Sequence, residues 1–89
     1  MALTEIRREI DRIDKDLVAL LEERMRLVDK VVTYKKAHQK AVFDAKRESL
    51  VLEKVSECVI DKQFEKAIVD TFSDMMKHSR AYQDSQLTK

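Results

Sequence analysis

The stretch LTEIRREIDRIDKDLVALLEERMRLVDKVVTY, residues 3–34, decides the fold. Leu3, Ile6, Ile10, Ile13, Leu17 and Leu20 alternate steps of three and four, and the series continues through Arg24, Leu27, Val31 and Tyr34. This spacing draws one apolar seam along a helix, and a seam sustained over about four heptads marks a coiled-coil-like contact. It predicts a first helix over residues 3–37, about 50 Å long at the usual rise per residue. A compact globule of 89 residues has a radius of gyration of only about 12 Å. The helix must overhang any single-chain fold, and its seam would be an apolar stripe in water unless a second copy covered it. A homodimer therefore follows from geometry.

The rest of the chain agrees with an all-α fold in a single domain, residues 1–89. There is no glycine and no proline, so the tight turns that sheets lean on are missing. Charged residues make up 39% of the chain, which could signal disorder, but the 44% hydrophobic share falls at helical spacing. His38 to Val42 breaks the first pattern and reads as a connection. Asp44 stands where an N-cap is needed, and a second helix follows over 44–58 with Leu50, Val51, Val55 and Cys58 on one side. Asp61 is another candidate cap, and a third helix is expected over 62–85, its apolar face made of Phe64, Ile68, Phe72, Met75 and Tyr82. The boundary between the second and third helices is the least defined.

Charge excludes several functions. Eighteen basic and 17 acidic side chains leave a net charge of +1, which gives no bulk drive toward nucleic acid or an anionic membrane. The longest apolar run, Leu17 to Leu21, is far too short to span a bilayer. The N-terminus lacks a signal-peptide pattern, and the single cysteine forms no internal disulfide. A cytoplasmic location is expected, with Cys58 as a small buried hydrophobe. His38 and His78 stand apart as surface residues with no partner at ligand spacing, so no metal site is expected. No nucleophilic triad and no glycine loop for phosphate can be read. Any catalysis must come from cations and hydrogen bonds placed around an anion.

Arg24 is the residue that interrupts the seam. A guanidinium there costs free energy unless it is paired. It can serve as a device that fixes helix pairing, or it can bind an anion. Lys35 favours the second reading. It lies eleven residues further on, which returns it to nearly the same face about 16 Å along the axis. A small anion could sit between the two. Arg7 is a third cation near the seam, although alone it reads as a solvated surface charge. Ser79 and Gln83 share the inner side of the third helix one turn apart. They read either as a back-bonded hydroxyl with a polar neighbour or as a neutral hydrogen-bonding arm. Asp44, Arg47 and Glu48 begin the second helix and read as a capped, charge-decorated helix start.

These residues resemble a known family, the all-helical class of chorismate mutases, which includes the mutase domains fused to prephenate-processing enzymes. Ile6-Arg7-Arg8-Glu9-Ile10-Asp11-Arg12-Ile13-Asp14 and Leu20-Leu21-Glu22-Glu23-Arg24 are similar to that family's first helix, and Asp44, Arg47 and Glu48 to its D-x-x-R-E motif. The likeness runs from about Leu3 to Gln83. It implies an intertwined homodimer of three-helix protomers with two sites shared between subunits. It implies Arg24 on a substrate carboxylate and Arg7 arriving from the other subunit. Lys35 would contact a carboxylate and the breaking ether oxygen, with Gln83 as second donor to that oxygen. Glu48 would accept from the ring hydroxyl, helped by backbone near Asp44, while Arg47 and Ser79 line the pocket.

The implied reaction is chorismate to prephenate, a step of aromatic amino acid biosynthesis that needs no cofactor. The chain's length suggests a monofunctional member. The nearest alternative is an isochorismate pyruvate-lyase on the same fold, and from a different class, a non-catalytic helical dimerisation module. The complete Asp44, Arg47 and Glu48 set favours the mutase. The module leaves Arg24, Lys35, Ser79 and Gln83 unexplained.

Geometry gives the shared site separate support. Arg7 and Arg24 are seventeen residues apart, about 25 Å on a straight helix. They cannot reach one small molecule from the same chain, whereas an antiparallel second copy would bring its Arg7 toward Arg24.

Overall fold

The computed structural model describes residues 2–88. It is three helices in the order expected: α1 over Leu3–His38, α2 over Ala45–Cys58 and α3 over Glu65–Leu87, with a 3-10 turn at Lys62–Phe64 leading into α3. No strand occurs among the described residues. The first connection keeps its expected length but moves by one residue, to 39–44, because α1 runs through His38. His38 extends it by stacking on Tyr34, with ring centroids 3.9 Å apart. Its Nδ1 also lies 2.8 Å from the Tyr34 carbonyl.

Each helix end has a visible cause. The Lys35 carbonyl accepts from the backbone N–H groups of both Gln39 and Lys40, the doubly bonded stop that closes many helices. Gln39 takes φ +53° to make it, a left-handed position that a glycine would fill at lower cost. Asp44 caps α2, its Oδ1 accepting from the Arg47 N–H at 3.0 Å. Asp61 does the same for the 3-10 turn, accepting from the Gln63 N–H at 3.2 Å. The break between α2 and α3 is thus real, and it falls at Val59–Asp61. Lys62 and Ser56 lace it together, Lys62 Nζ donating to the Ser56 carbonyl at 2.7 Å.

Helix α3 is the wall shared by the other two, packing against both α1 and α2. The face of α1 turned to α3 is not the long seam. Val28 and Val32 are buried there and Met25 is half-buried, whereas Leu27, Val31 and Tyr34 of the seam stay exposed. The helix carries two adjacent apolar stripes, one residue out of step. One closes the protomer's own core; the other faces outward. On α3 the buried set is Met76, Ser79 and Gln83, while Phe64 and Ile68 of the expected apolar face remain exposed.

Two expectations fail on α2. Cys58 is exposed, not buried, and so is Leu50. The packed side of α2 runs through Val51, Leu52, Val55 and Ser56. Leu50 is stepped off that side by the helical repeat, whereas Cys58 shares the face of Val51 and Val55 but is the last residue of the helix. Cys58 instead borders an open apolar groove with Val55, Phe64 and Ile68.

The protomer encloses little. Among the described residues, its buried apolar side chains are Val28, Val32, Val59 and Met76, and no side chain falls below 2% exposure. The molecule measures 53 × 25 × 15 Å with a radius of gyration of 16.0 Å. It exposes 7371 Å², where a compact monomer of 10.5 kDa would expose about 5,400 Å².

Candidate active site

One cleft collects the residues that the pattern singled out. Its volume is about 290 Å³, close to the lower bound of small-molecule sites. Arg24 and Lys35 reach it from α1, Asp44, Arg47 and Glu48 from the start of α2, and Ser79 and Gln83 from α3. Leu27, Val28, Val31, Val51 and Met76 form its apolar lining. Arg7 does not line it. It lies exposed in the N-terminal half of α1, where every described residue up to Glu23 is exposed.

Local folding explains how each group arrives. The eleven-residue step between Arg24 and Lys35 holds on an unbroken helix, so both side chains open on one cavity. The Asp44 cap fixes the direction in which α2 starts, and thereby turns Arg47 and Glu48 toward the cleft. The helix N-terminus also favours carboxylates in that first turn.

Lys35 is the hub. Its Nζ donates to Gln83 Oε1 at 2.9 Å and to the Val42 carbonyl at 2.7 Å. An ammonium has three donors, so one remains for a ligand. Gln83 and Ser79 are buried. The Gln83 Nε2 donates toward Ser79 Oγ at 3.4 Å, a long bond that a better acceptor would displace. The Ser79 hydroxyl is therefore an acceptor for Gln83, and of its two sequence readings the hydrogen-bonding arm describes the geometry better.

Glu48 is ion-paired to Arg80, a residue that the sequence reading did not single out. Arg80 also lies over the Phe43 ring, its guanidinium carbon 5.1 Å from the centroid. No sequence signal pointed to it, because its partners Glu48 and Phe43 belong to α2 and to the connection before it. The Val42 carbonyl was also missed. A backbone acceptor in an irregular connection leaves no trace in side-chain patterning.

Outside the cleft, Tyr82 donates its hydroxyl to Asp29 Oδ1 and so links α3 to α1. That bond, together with desolvation and the carboxylate's charge, pushes the Tyr82 phenol above its usual value. Among the described residues, no group of three or more His, Cys, Asp and Glu could hold a metal ion. No described helix is long and apolar enough to cross a membrane.

Comparison with known proteins agrees with this arrangement. Residues 6–84 match the family model described as chorismate mutase type II. No curated protein and no solved structure gives a significant match.

Proposed function

Because the chain belongs to the chorismate mutase type II family, we propose that it converts chorismate to prephenate, as a homodimer in the cytoplasm. The observation that carries this reading is the gathering of Arg24, Lys35, Glu48 and Gln83 on one cleft. These are the groups that a folded dicarboxylate with a ring hydroxyl and an ether bridge would need.

The rearrangement breaks a C–O bond while a C–C bond forms, and it needs no proton transfer or nucleophile. Two tasks fall to the protein. The enolpyruvyl arm must be held folded over the ring, which is catalysis by orientation. Negative charge developing on the ether oxygen must be stabilised. Arg24 clamps a carboxylate with its planar fork. The free Lys35 donor and the weakly engaged Gln83 amide meet the ether oxygen. Glu48 accepts from the ring hydroxyl. Arg47 and Ser79 line the pocket and steady the carboxylates.

The cleft is open on the side of the exposed seam, and a second chain completes it by supplying Arg7. The surface excess of the single chain supports this. Its 7371 Å² is about 1,900 Å² more than a compact monomer would expose. Obligate dimers bury about 1,000–2,500 Å² per partner. The open groove by Cys58, Phe64 and Ile68 adds to the surface that needs cover.

An ultraviolet assay offering chorismate and isochorismate separately tests the activity. Loss of chorismate with formation of prephenate is expected. Pyruvate release from isochorismate alone would favour the lyase. Inertness toward both, with no thermal shift from either dianion, would leave only a dimerisation module.

A further inference from the structure

The cleft holds opposite charges that should attract each other, yet Glu48 is not paired with a cleft cation. Arg24, Lys35 and Arg47 all line the same cavity as Glu48. Arg80 does not line it, but takes Glu48 Oε1 through Nη1. The two side chains are only 29% and 21% exposed for Arg80 and Glu48, so water screens the pair little. A carboxylate has about four acceptor positions. Arg80 uses the Oε1 side and leaves Oε2 for a hydroxyl.

Arg80 is itself held. Its guanidinium lies over Phe43, a ring in the α1–α2 connection that is otherwise 59% exposed. A guanidinium plane stacks on an aromatic face while its edge donates to a carboxylate, a combination an ammonium reproduces poorly. One side chain of α3 thus ties the start of α2 and the loop before it.

We propose that Arg80 is a positioning residue for the reaction: it holds the Glu48 carboxylate in place as acceptor for the substrate's ring hydroxyl and keeps it off the cations that grip the carboxylates. This rests on the reading of the cleft as a chorismate site. Without Arg80, Glu48 turns onto Arg24, Lys35 or Arg47 and competes with the incoming dianion. The competition acts on binding, so it raises KM more than it lowers kcat.

The test is a double-mutant cycle on chorismate kinetics with R80M, E48Q and R80M/E48Q, with a crystal structure of R80M. R80M is expected to raise KM about tenfold in the native background. In the E48Q background the same change should move KM by less than about twofold, because an uncharged amide no longer competes for the cations. An equal KM rise in both backgrounds would mean that Arg80 only packs, and would overturn the assignment. Should R80M fail to fold, R80K goes through the same cycle. It keeps the charge and loses the stacked plane, so a rise of about threefold, abolished by E48Q, is expected. If the wild type is inert toward chorismate, the proposed function fails. The R80M structure, or the R80K structure in its place, then decides the role of Arg80. Glu48 turned onto a cleft cation upholds it, and Glu48 unmoved overturns it.

Discussion

Lys35 Nζ and Gln83 Oε1 lie 2.9 Å apart, a hydrogen bond that joins the last turns of α1 to the last turns of α3 across 48 residues. The same ammonium holds the Val42 carbonyl, so Lys35 ties the floor of the cleft to the loop at its rim. The two donors assigned to the ether oxygen are therefore oriented by one another before a ligand arrives.

Lys35→Ala removes both the proposed transition-state donor and the two tethers. A preorganised donor of this kind is worth about 10²–10³ in kcat. The tethers are charge-assisted hydrogen bonds, and losing them should cost about 1–3 kcal/mol of stability. The expected result is a folded but less stable protein with kcat reduced by two to three orders of magnitude (roughly, on the same basis). Steady-state kinetics beside chemical denaturation checks this. Turnover near wild type in the folded variant would exclude Lys35 from the chemistry.

Gln83 donates without having to bind a proton first. Activity should therefore be flat from about pH 5 to 7, where a carboxyl or imidazole donor would titrate. Gln83→Glu should convert the flat profile to one that falls as the pH rises, since only the protonated carboxyl donates. A kcat–pH profile of both proteins is the measurement. A steep decline in the wild type over that range would contradict the role given to Gln83.

The proposed sharing of each site between two subunits predicts complementation. Arg7→Ala and Lys35→Ala homodimers should each be nearly inactive. Equal mixing with subunit exchange makes half the dimers mixed, and each mixed dimer has one intact site, which restores about a quarter of wild-type activity. Exchange proven by mass spectrometry with no recovered activity would place Arg7 outside the site.

The Tyr82 phenol is held above its ordinary value by its bond to Asp29. An acid whose folded value is raised binds its proton longer in the folded state. The stability it adds is whole below the unfolded value, about pH 10, and is lost as the pH climbs through the folded one. In the Tyr34→Phe background, spectrophotometric titration of Tyr82 should show ionisation above that value. Removing Asp29 by Asp29→Asn should bring it back toward ordinary tyrosine. No difference between the two titrations would mean that the bond is absent in solution.

The helix boundaries were legible because their causes are local. The absence of glycine and proline, the Asp44 and Asp61 caps and the three-four spacing each act within a turn or two. The packing partners were less legible. Leu27 and Val31 look as buried in the sequence as Val28 and Val32, because spacing marks an apolar stripe without naming what covers it. Cys58 failed for the same reason. It ends α2 on a groove that Val55 and the α3 residues Ile68 and Phe72 line but leave open. In the cleft, the eleven-residue step from Arg24 to Lys35 could be read because one rigid helix carries both. Arg80 and the Val42 carbonyl could not, since their partners come from other elements and their roles exist only after those elements meet.

The two stripes of α1 have a kinetic consequence. In the proposed homodimer, a protomer whose own core is little more than Val28, Val32, Val59 and Met76 is expected to draw most of its apolar burial from its partner. Its folding and its pairing should then be a single event. Refolding should run as a second-order process that quickens with protein concentration, and the melting temperature should climb with it. Dilution would switch off catalysis and unravel the helices together, with no inactive folded monomer in between.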